Sequence, residues 1–260
     1  MNVVVLVKQV PDTGSERRLS GSDHALDRES TEAVLDEINE RAVEEALRIR
    51  ETHGGEVTIV CMGPGRATEA IRKALSMGAD RAVYLCDEAL RGSDAVQTAK
   101  ALAHVVGTIE SVDLVVAGDE ATDGRIGAVP AMVAESLGWP QLTHARTVGI
   151  EGTTVTVERE ADAGLMRLAA SLPAVVSVAE KINEPRYPSF KGIMAAKKKP
   201  VQVLSLADAG IDASEVGLAN GGSRVLESAP TPPKQAGQRV TDDGAGGVRL
   251  VEFLAGQKLV

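Results

Sequence analysis

Aromatic residues, cysteines and long apolar runs are all scarce in this sequence. Its 260 residues include one Trp, two Tyr, two Phe and two Cys. Because no apolar run approaches the roughly 18 to 20 residues that a membrane-spanning helix needs, we expect no membrane insertion. Cys61 and Cys86 each lie within an apolar run, which predicts small core residues and not a disulfide or a metal-binding pair.

Positive charge is also in deficit. The 28 Lys and Arg are outnumbered by 37 Asp and Glu, for a formal net charge of −9. Nucleic-acid binding depends on cationic side chains, so this charge argues against DNA and RNA as partners. The amino-terminal apolar run is too short for a secretory signal and no basic residues precede it. We therefore expect a cytoplasmic protein.

Self-contained catalytic motifs are missing. The sequence has no P-loop, no GxGxxG after a strand, no HExxH and no GxSxG, and its four His are scattered without the spacing of metal ligands. A hydrolase, a zinc enzyme and a P-loop ATPase are therefore unsupported. We predict no catalytic residues and no metal site.

Short β-branched runs alternate with segments of helical period over about the first 140 residues. This pattern predicts an α/β fold in which helices cover both faces of a parallel sheet. Ser93 is placed to cap a helix that runs to about Val106, and 127–137 reads as another helix. After Trp139 the pattern becomes β-rich. The predicted strands are 2–7, 57–61, 82–85, 113–117, 153–157, 165–169 and 174–178.

The composition changes near Leu206, where Gly, Ala, Ser, Asp and Pro become frequent. We predict one α/β domain over residues 1–205 and a carboxyl-terminal arm over 206–260 that cannot fold by itself. Apolar character returns at 248–259, so the end of the arm is expected to dock. The sequence leaves open whether it docks on its own core or on a partner.

The ends of the predicted parallel strands offer a nucleotide site, since ligands of open α/β sheets lie beyond the carboxyl ends of the strands. The richest of these ends is Gly118 to Gly124. A helix starting near Ile126 would point free N–H groups at a phosphate there. The competing interpretation is that the glycines only form a turn and that Asp123 caps the helix.

Residues 183–199 form an unusual segment that holds two of the five aromatic residues between prolines and shows no regular period before Gly192. Tyr187 and Phe190 suggest an anchor for another protein, because aromatic side chains dominate interface hot spots. Alternatively, both rings fold back onto the core. The following run Lys197 to Lys199 is expected to be a solvated helix end. Arg159 and Glu160 are adjacent in a strand and so cannot simply pair with each other.

Several of these blocks occur in the order found in a known family. The chain resembles the beta subunits of electron-transfer flavoproteins over residues 1 to about 205, through VKQVPD, AVEEALRIRE, MGPGRATEAIRKALSMGADRA, DGRIGAVPAMVAESLGWPQLTHA, VERE and NEPRYPSFKGIMAAKKKP. The resemblance implies an adenine nucleotide α-hydrolase-like fold and a heterodimer with an alpha subunit. It implies an electron carrier, not an enzyme, that accepts electrons from acyl-CoA and related dehydrogenases and passes them to a quinone oxidoreductase.

The same resemblance implies a structural AMP in this subunit and an FAD held mainly by the alpha subunit. The implied AMP contacts are Leu6, Val7, Asp36, Met62, Gly118, Asp123, Gly124, Arg125, Gly127, Ala128 and Val129. The implied flavin-facing residues are Thr13, Arg159 and Glu160, and the implied partner-recognition residues in the 183–199 segment are Tyr187, Phe190, Ile193 and Met194.

Three departures from the family pattern bear on these assignments. Asp36-Glu37-Ile38-Asn39 replaces a frequent Asn-Pro-x-Asp, and Met166 stands where Glu is common. Gly124-Arg125-Ile126-Gly127-Ala128 replaces a more polar loop, so backbone N–H groups are the expected phosphate ligands and Arg125 is expected to add charge. Two other functions remain open. One is a bifurcating-type subunit with a second FAD in place of AMP. The other is a stand-alone ATP- or AMP-binding domain of the universal-stress type.

Overall fold

A nine-stranded sheet lies at the centre of the computed structural model. The structure describes residues 1–234, 236–237 and 239–260. Its contacts divide the chain into two units, Met1–Leu226 and Glu227–Val260. The sheet belongs to the first unit.

The strands are, in chain order, β1 (Val3–Val7), β2 (Gln9–Pro11), β3 (Ala33–Leu35), β4 (Val57–Met62), β5 (Arg81–Leu85), β6 (Leu114–Gly118), β7 (Gln141–Glu151), β8 (Thr154–Ala161), β9 (Gly164–Ser171), β10 (Ala174–Val178) and β11 (Val201–Leu204). The helices are α1 (Glu37–His53), α2 (Thr68–Met77), α3 (Ala95–Gly107), α4 (Val129–Leu137), α5 (Phe190–Ala196), α6 (Leu206–Ala209) and α7 (Gly246–Gly256). Short 3₁₀ turns occupy Gly65–Ala67, Glu88–Leu90, Ala213–Glu215 and Leu218–Asn220.

The sheet order is β11-β5-β4-β1-β6-β10-β7-β8-β9, while β2 and β3 form a separate antiparallel pair. Neighbours from β11 to β7 run parallel, and β8 and β9 extend the sheet as antiparallel strands. The parallel strands are nearly continuous apolar runs because helices cover both of their faces. The predicted parallel sheet and its β-rich continuation are confirmed.

Alternate residues of β1 show the three layers. Val3 and Val5 belong to the apolar cluster that packs under α1 and α2, whereas Val4 and Leu6 belong to the cluster under α3 and α4. Successive side chains of a strand point to opposite faces, so one strand supplies both cores. Cys61 lies in the first core as a free cysteine, and burial raises the pKa of its thiol to about 12.

Helix α3 begins one residue later than the sequence predicts. Its cap is Asp94, whose carboxylate accepts from the Gln97 N–H at 2.9 Å while the Gln97 side chain accepts from the Asp94 N–H at 2.9 Å. This reciprocal capping box satisfies two amides at once. The prediction of Ser93 as the cap is wrong, and the Ser93 hydroxyl instead accepts from the Gly217 N–H at 2.9 Å.

The predicted solvated end at Lys197 to Lys199 is wrong for its last residue. The Lys199 ammonium donates to the carbonyls of Leu75 and Ala79 at 3.0 and 2.6 Å. These carbonyls lie at the carboxyl end of α2, where a cation interacts favourably with the helix dipole. Lys199 therefore stabilises the end of a different helix, and desolvation lowers the pKa of its ammonium group.

The second unit, residues 227–260 apart from 235 and 238, contains α7. None of the described residues of this helix is buried, and its exposed apolar side chains include Val248, Leu250, Val251 and Phe253. Arg249 pairs with Asp243 at 2.5 Å just before the helix. The docking of this apolar end stays a prediction. Across the described part of the chain, no helix combines the length and apolar character needed to cross a bilayer.

Candidate functional site

Three neighbouring strands end at the same edge of the sheet. β1 lies between β4 and β6 and ends at Leu6 and Val7. Met62 ends β4 and Gly118 ends β6. Because these strands are parallel, their carboxyl ends meet where open α/β sheets bind ligands. The structure thus brings these four predicted site residues together.

Asp36 connects the loop after β6 to the beginning of α1. One carboxylate oxygen accepts from the N–H groups of Ile38 and Asn39 at 2.9 and 3.2 Å. The other accepts from the N–H and hydroxyl of Thr122, both at 2.7 Å. The side chain has no exposed surface. Asp36 therefore supports the loop from behind, with both carboxylate oxygens already used inside the chain.

Gly118 lies where two side chains of α1 approach the backbone closely. A Cβ placed there would be 2.6 Å from Nδ2 of Asn39 and 2.9 Å from Cγ2 of Ile38. The Asn39 side chain is held because its Oδ1 accepts from the Lys8 N–H at 2.8 Å. A side chain at this position would push α1 away from the strand end, so the site requires glycine here.

Asp123 is the centre of a charged triad that Lys8 and Arg28 complete. Its carboxylate accepts from the Lys8 ammonium at 2.8 Å and from the Arg28 guanidinium at 2.9 Å. The side chain is only 2% exposed. Burial opposes its ionisation, but the two cations overcome that effect and hold the pKa of the carboxyl below its ordinary value. The interpretation of Asp123 as a helix cap is wrong.

The helix after this loop starts later than the sequence predicts. α4 begins at Val129, not at Gly127 or near Ile126, and its N-cap residue Ala128 makes no side-chain cap. Gly127 and Arg125 adopt positive φ angles of 65° and 50°. Among the described residues, no acceptor bonds the amides of Ile126, Gly127 and Ala128. An uncapped helix start with free amides is suited to an anion.

Gly124 and Arg125 complete the loop. The Gly124 N–H bonds back to the Asp123 carboxylate at 2.8 Å, and the Arg125 N–H donates to the carbonyl of Ala121 at 2.9 Å. The Arg125 side chain is exposed and makes no ion pair within the described part of the chain. It is a free cation beside the open amides.

Arg28 and Asn39 are site residues that the sequence reasoning missed. Arg28 lies between β2 and β3, where no periodicity marks a structural role, and its second contact is the carbonyl of Gln9 at 3.2 Å. Arg66 in turn donates to the Arg28 carbonyl at 2.8 Å. The sequence contained one indirect clue to this charged network, which is that Lys8 directly follows a strand that ends at the site.

Arg159 and Glu160 lie on the antiparallel extension. Arg159 donates to the Thr143 hydroxyl at 3.2 Å and contacts the sulfur of Met166 at 3.7 Å. Glu160 pairs with Arg146 at 2.7 Å. The prediction that the two adjacent charges do not pair with each other is confirmed. Met166 is thus a neutral partner of Arg159.

Thr13 lies in an exposed turn that Asp12 organises. The Asp12 carboxylate accepts from the Gly14 N–H at 2.7 Å. The Thr13 hydroxyl donates to Glu37 at 3.0 Å, at the first turn of α1. Its role toward a flavin stays a prediction.

The 183–199 segment is fixed to α1 at its amino end. Arg186 donates to Glu44 at 2.7 and 3.2 Å and to Glu51 at 2.5 and 3.2 Å. Asn183 donates to the Glu45 carboxylate at 3.0 Å. Burial opposes ionisation of Glu44, yet the bonds from Arg186 hold its pKa below the ordinary value. At Glu45 burial prevails and raises the pKa.

The carboxyl end of the segment is fixed to α2. Arg72 donates to the carbonyls of Ala196 and Lys199 at 2.6 and 3.0 Å. A Cβ at Gly192 would lie 2.5 Å from the carbonyl oxygen of Ser76, so α5 packs directly against α2. The segment is therefore attached to the fold at both ends.

Between these attachments the segment exposes apolar side chains. Tyr187 is 94% exposed and Phe190 is 80% exposed, while Ile193 and Met194 are about half exposed. The alternative in which both rings fold back onto the core is wrong. The segment also becomes helical at Phe190, two residues before Gly192, because the Ser189 hydroxyl caps α5 by accepting from the Gly192 N–H at 3.0 Å. Phe190, Ile193 and Met194 then share one face of a helix.

Comparison with known proteins identifies the chain's relatives. The family model of the electron transfer flavoprotein domain matches residues 23–209, well over half of the chain. The chain belongs to the electron transfer flavoprotein family. The matched range includes the Asp36, Gly118 and Asp123 loops and the whole 183–199 segment.

Individual electron transfer flavoproteins are similar over the full length. The electron transfer flavoprotein subunit beta of Mycobacterium tuberculosis is 62% identical over 264 residues, which cover 100% of this chain and 99% of the relative. The subunit beta of Thermoanaerobacterium thermosaccharolyticum is 38% identical and covered completely. The Caffeyl-CoA reductase-Etf complex subunit CarD of Acetobacterium woodii is 34% identical over 93% of this chain and 92% of that protein.

Proposed function

We propose that this chain is the beta subunit of a heterodimeric electron transfer flavoprotein. The observation that carries this proposal is its full-length similarity to chains named electron transfer flavoprotein subunit beta. The chain binds an alpha subunit, and the heterodimer accepts electrons from acyl-CoA and related dehydrogenases and delivers them to a quinone oxidoreductase. The protein supplies binding and orientation for a cofactor that performs the redox chemistry.

We propose that AMP binds at the carboxyl edge of β1, β4 and β6. The free amides of Ile126, Gly127 and Ala128 fit a phosphate because they are unbonded donors at an uncapped helix start. Arg125 adds a positive charge, and Leu6, Val7, Met62 and Gly118 supply the strand ends. Asp36 contributes by positioning the loop, since its carboxylate is already fully bonded.

An FAD held mainly by the alpha subunit would supply the redox chemistry of the heterodimer. On this chain Thr13, Arg159 and Glu160 are proposed to face it. Arg159 is suited to this place because a thioether and a hydroxyl, and no carboxylate, are its side-chain partners among the described residues. Its positive charge thus remains available to the flavin side of the interface.

Cofactor content tests this proposal. The chain co-expressed and purified with its alpha partner is expected to contain one flavin and one AMP per heterodimer, measured by absorbance and by chromatography of the released nucleotides. Two flavins and no AMP would assign it to the bifurcating type. A stable lone chain that binds ATP and needs no partner would instead support the universal-stress type of domain.

We propose that the 183–199 segment docks on the dehydrogenases. Phe190→Ala should leave folding and AMP content unchanged, because the ring is mostly exposed. It should slow electron uptake from an acyl-CoA dehydrogenase through a loss of about 2 kcal/mol at the contact. Val96→Ala, which truncates another half-exposed apolar side chain on α3, is the control. An unchanged rate for Phe190→Ala would remove Phe190 from the docking role.

A further inference from the structure

Arg28 is attached to the candidate nucleotide site although it lies far from it in sequence. It is 95 residues before Asp123, in the irregular chain between β2 and β3. One guanidinium nitrogen donates to the Gln9 carbonyl just beyond β1, and another to the Asp123 carboxylate just before the open amides. A single side chain therefore joins the continuations of two strands whose ends form the site.

The charge at this point matters for an anionic ligand. A buried carboxylate next to the open amides of residues 126–128 would repel a phosphate. Lys8 and Arg28 together reverse that effect, because the triad of two cations and one anion carries a net positive charge. Removing one cation would leave a neutral ion pair. It would also remove one of the two side-chain bonds that hold Asp123 and its loop in place.

We propose that Arg28 is a specificity-determining and positioning residue for the phosphate of the bound nucleotide. It holds the Asp123–Val129 loop with its amides open and offsets the charge of Asp123. The site consequently prefers an adenine nucleotide with a phosphate over the uncharged nucleoside. This inference rests on the nucleotide site of the proposed function and assigns its phosphate selectivity to a residue outside the strand-end loops.

The experiment compares AMP and adenosine as competitors for labelled AMP on the purified heterodimer. Arg28→Gln is expected to weaken AMP binding about tenfold, because the charge of the triad beside the phosphate falls by one unit, while adenosine binding changes much less. Arg28→Lys keeps the charge and should restore part of the preference. Arg18→Gln is the matched control, since Arg18 lies in the same stretch and its exposed side chain pairs with the exposed Glu16.

The outcomes separate this inference from the proposed function. An unchanged ratio of AMP to adenosine affinity in Arg28→Gln, including an equal loss of both ligands, would overturn this inference, but the proposed AMP site of the wild-type heterodimer would still stand. A wild-type heterodimer that binds no adenine nucleotide would overturn both. If Arg28→Gln does not fold, Lys8→Gln removes the other cation of the triad and should show the same selective loss of AMP.

Discussion

Glu44 and Glu45 are adjacent on α1, yet replacing each by Gln should change the free energy of unfolding in opposite directions. The Glu44 side chain is 5% exposed and bonds two guanidinium groups, those of Arg186 and Arg48, at 2.7 and 2.9 Å. Glu44→Gln keeps the shape but removes the charge. Since bonds to charged groups contribute about 1.5 to 3 kcal/mol, we expect a loss of about 2 kcal/mol at pH 7.

Glu45 is also buried, but its hydrogen-bond partner is the neutral amide of Asn183. Gln at this position keeps an oxygen that accepts the same bond and removes a charge that burial disfavours. Glu45→Gln should therefore stabilise the protein by about 1 kcal/mol at pH 7.

Urea unfolding of both variants and wild type at several pH values measures these effects. The pKa of Glu45 is raised in the folded protein, so wild-type stability from this group increases as pH falls toward the ordinary value of 4.5. The advantage of Glu45→Gln should shrink accordingly as the pH is lowered from 7.5 toward 4.5. The pKa of Glu44 is lowered, so the deficit of Glu44→Gln should persist over that range. Shifts of the same sign in both variants would refute this reasoning.

Three further substitutions test the site and the fold. Gly118→Ala should reduce AMP content and stability, because its Cβ meets Asn39 at 2.6 Å; an AMP content equal to wild type would contradict the close packing. Asp36→Asn should destabilise the protein by about 2 kcal/mol through weakened bonds to Thr122, and hydrogen exchange of the loop after β6 should increase. Asp94→Ala should cost about 1 kcal/mol in urea unfolding, and an effect near zero would remove the capping box as a stabilising element.

The sequence was sufficient to predict the parallel sheet, because strands that are buried on both faces appear in the sequence as continuous apolar runs. The sequence was less reliable for the first residue of each helix, because two neighbouring residues can both be suitable N-caps. Ser93 and Asp94 are both good caps, and only the reciprocal bond with Gln97 selects Asp94. Local pattern thus predicts that a helix exists more securely than where it begins.

The strand-end residues of the candidate site were predictable because topology places them there. The role of Asp123 was not, since its partners Lys8 and Arg28 lie 115 and 95 residues away in sequence. A carboxylate before a helix reads as a cap unless its distant cations are known. For the same reason the tie between Arg186 and Glu44, across 142 residues, carries no local signature.

In the 183–199 segment, the residues that attach it to the fold differ from the residues that it exposes to solvent. Asn183, Arg186 and Lys199 bond the body of the fold, whereas Tyr187 and Phe190 contact mainly solvent. Changes to the displayed residues consequently leave the attachments intact. In the proposed docking role, substitutions at the displayed positions would change the preference for a partner without requiring compensating changes in the residues that attach the segment.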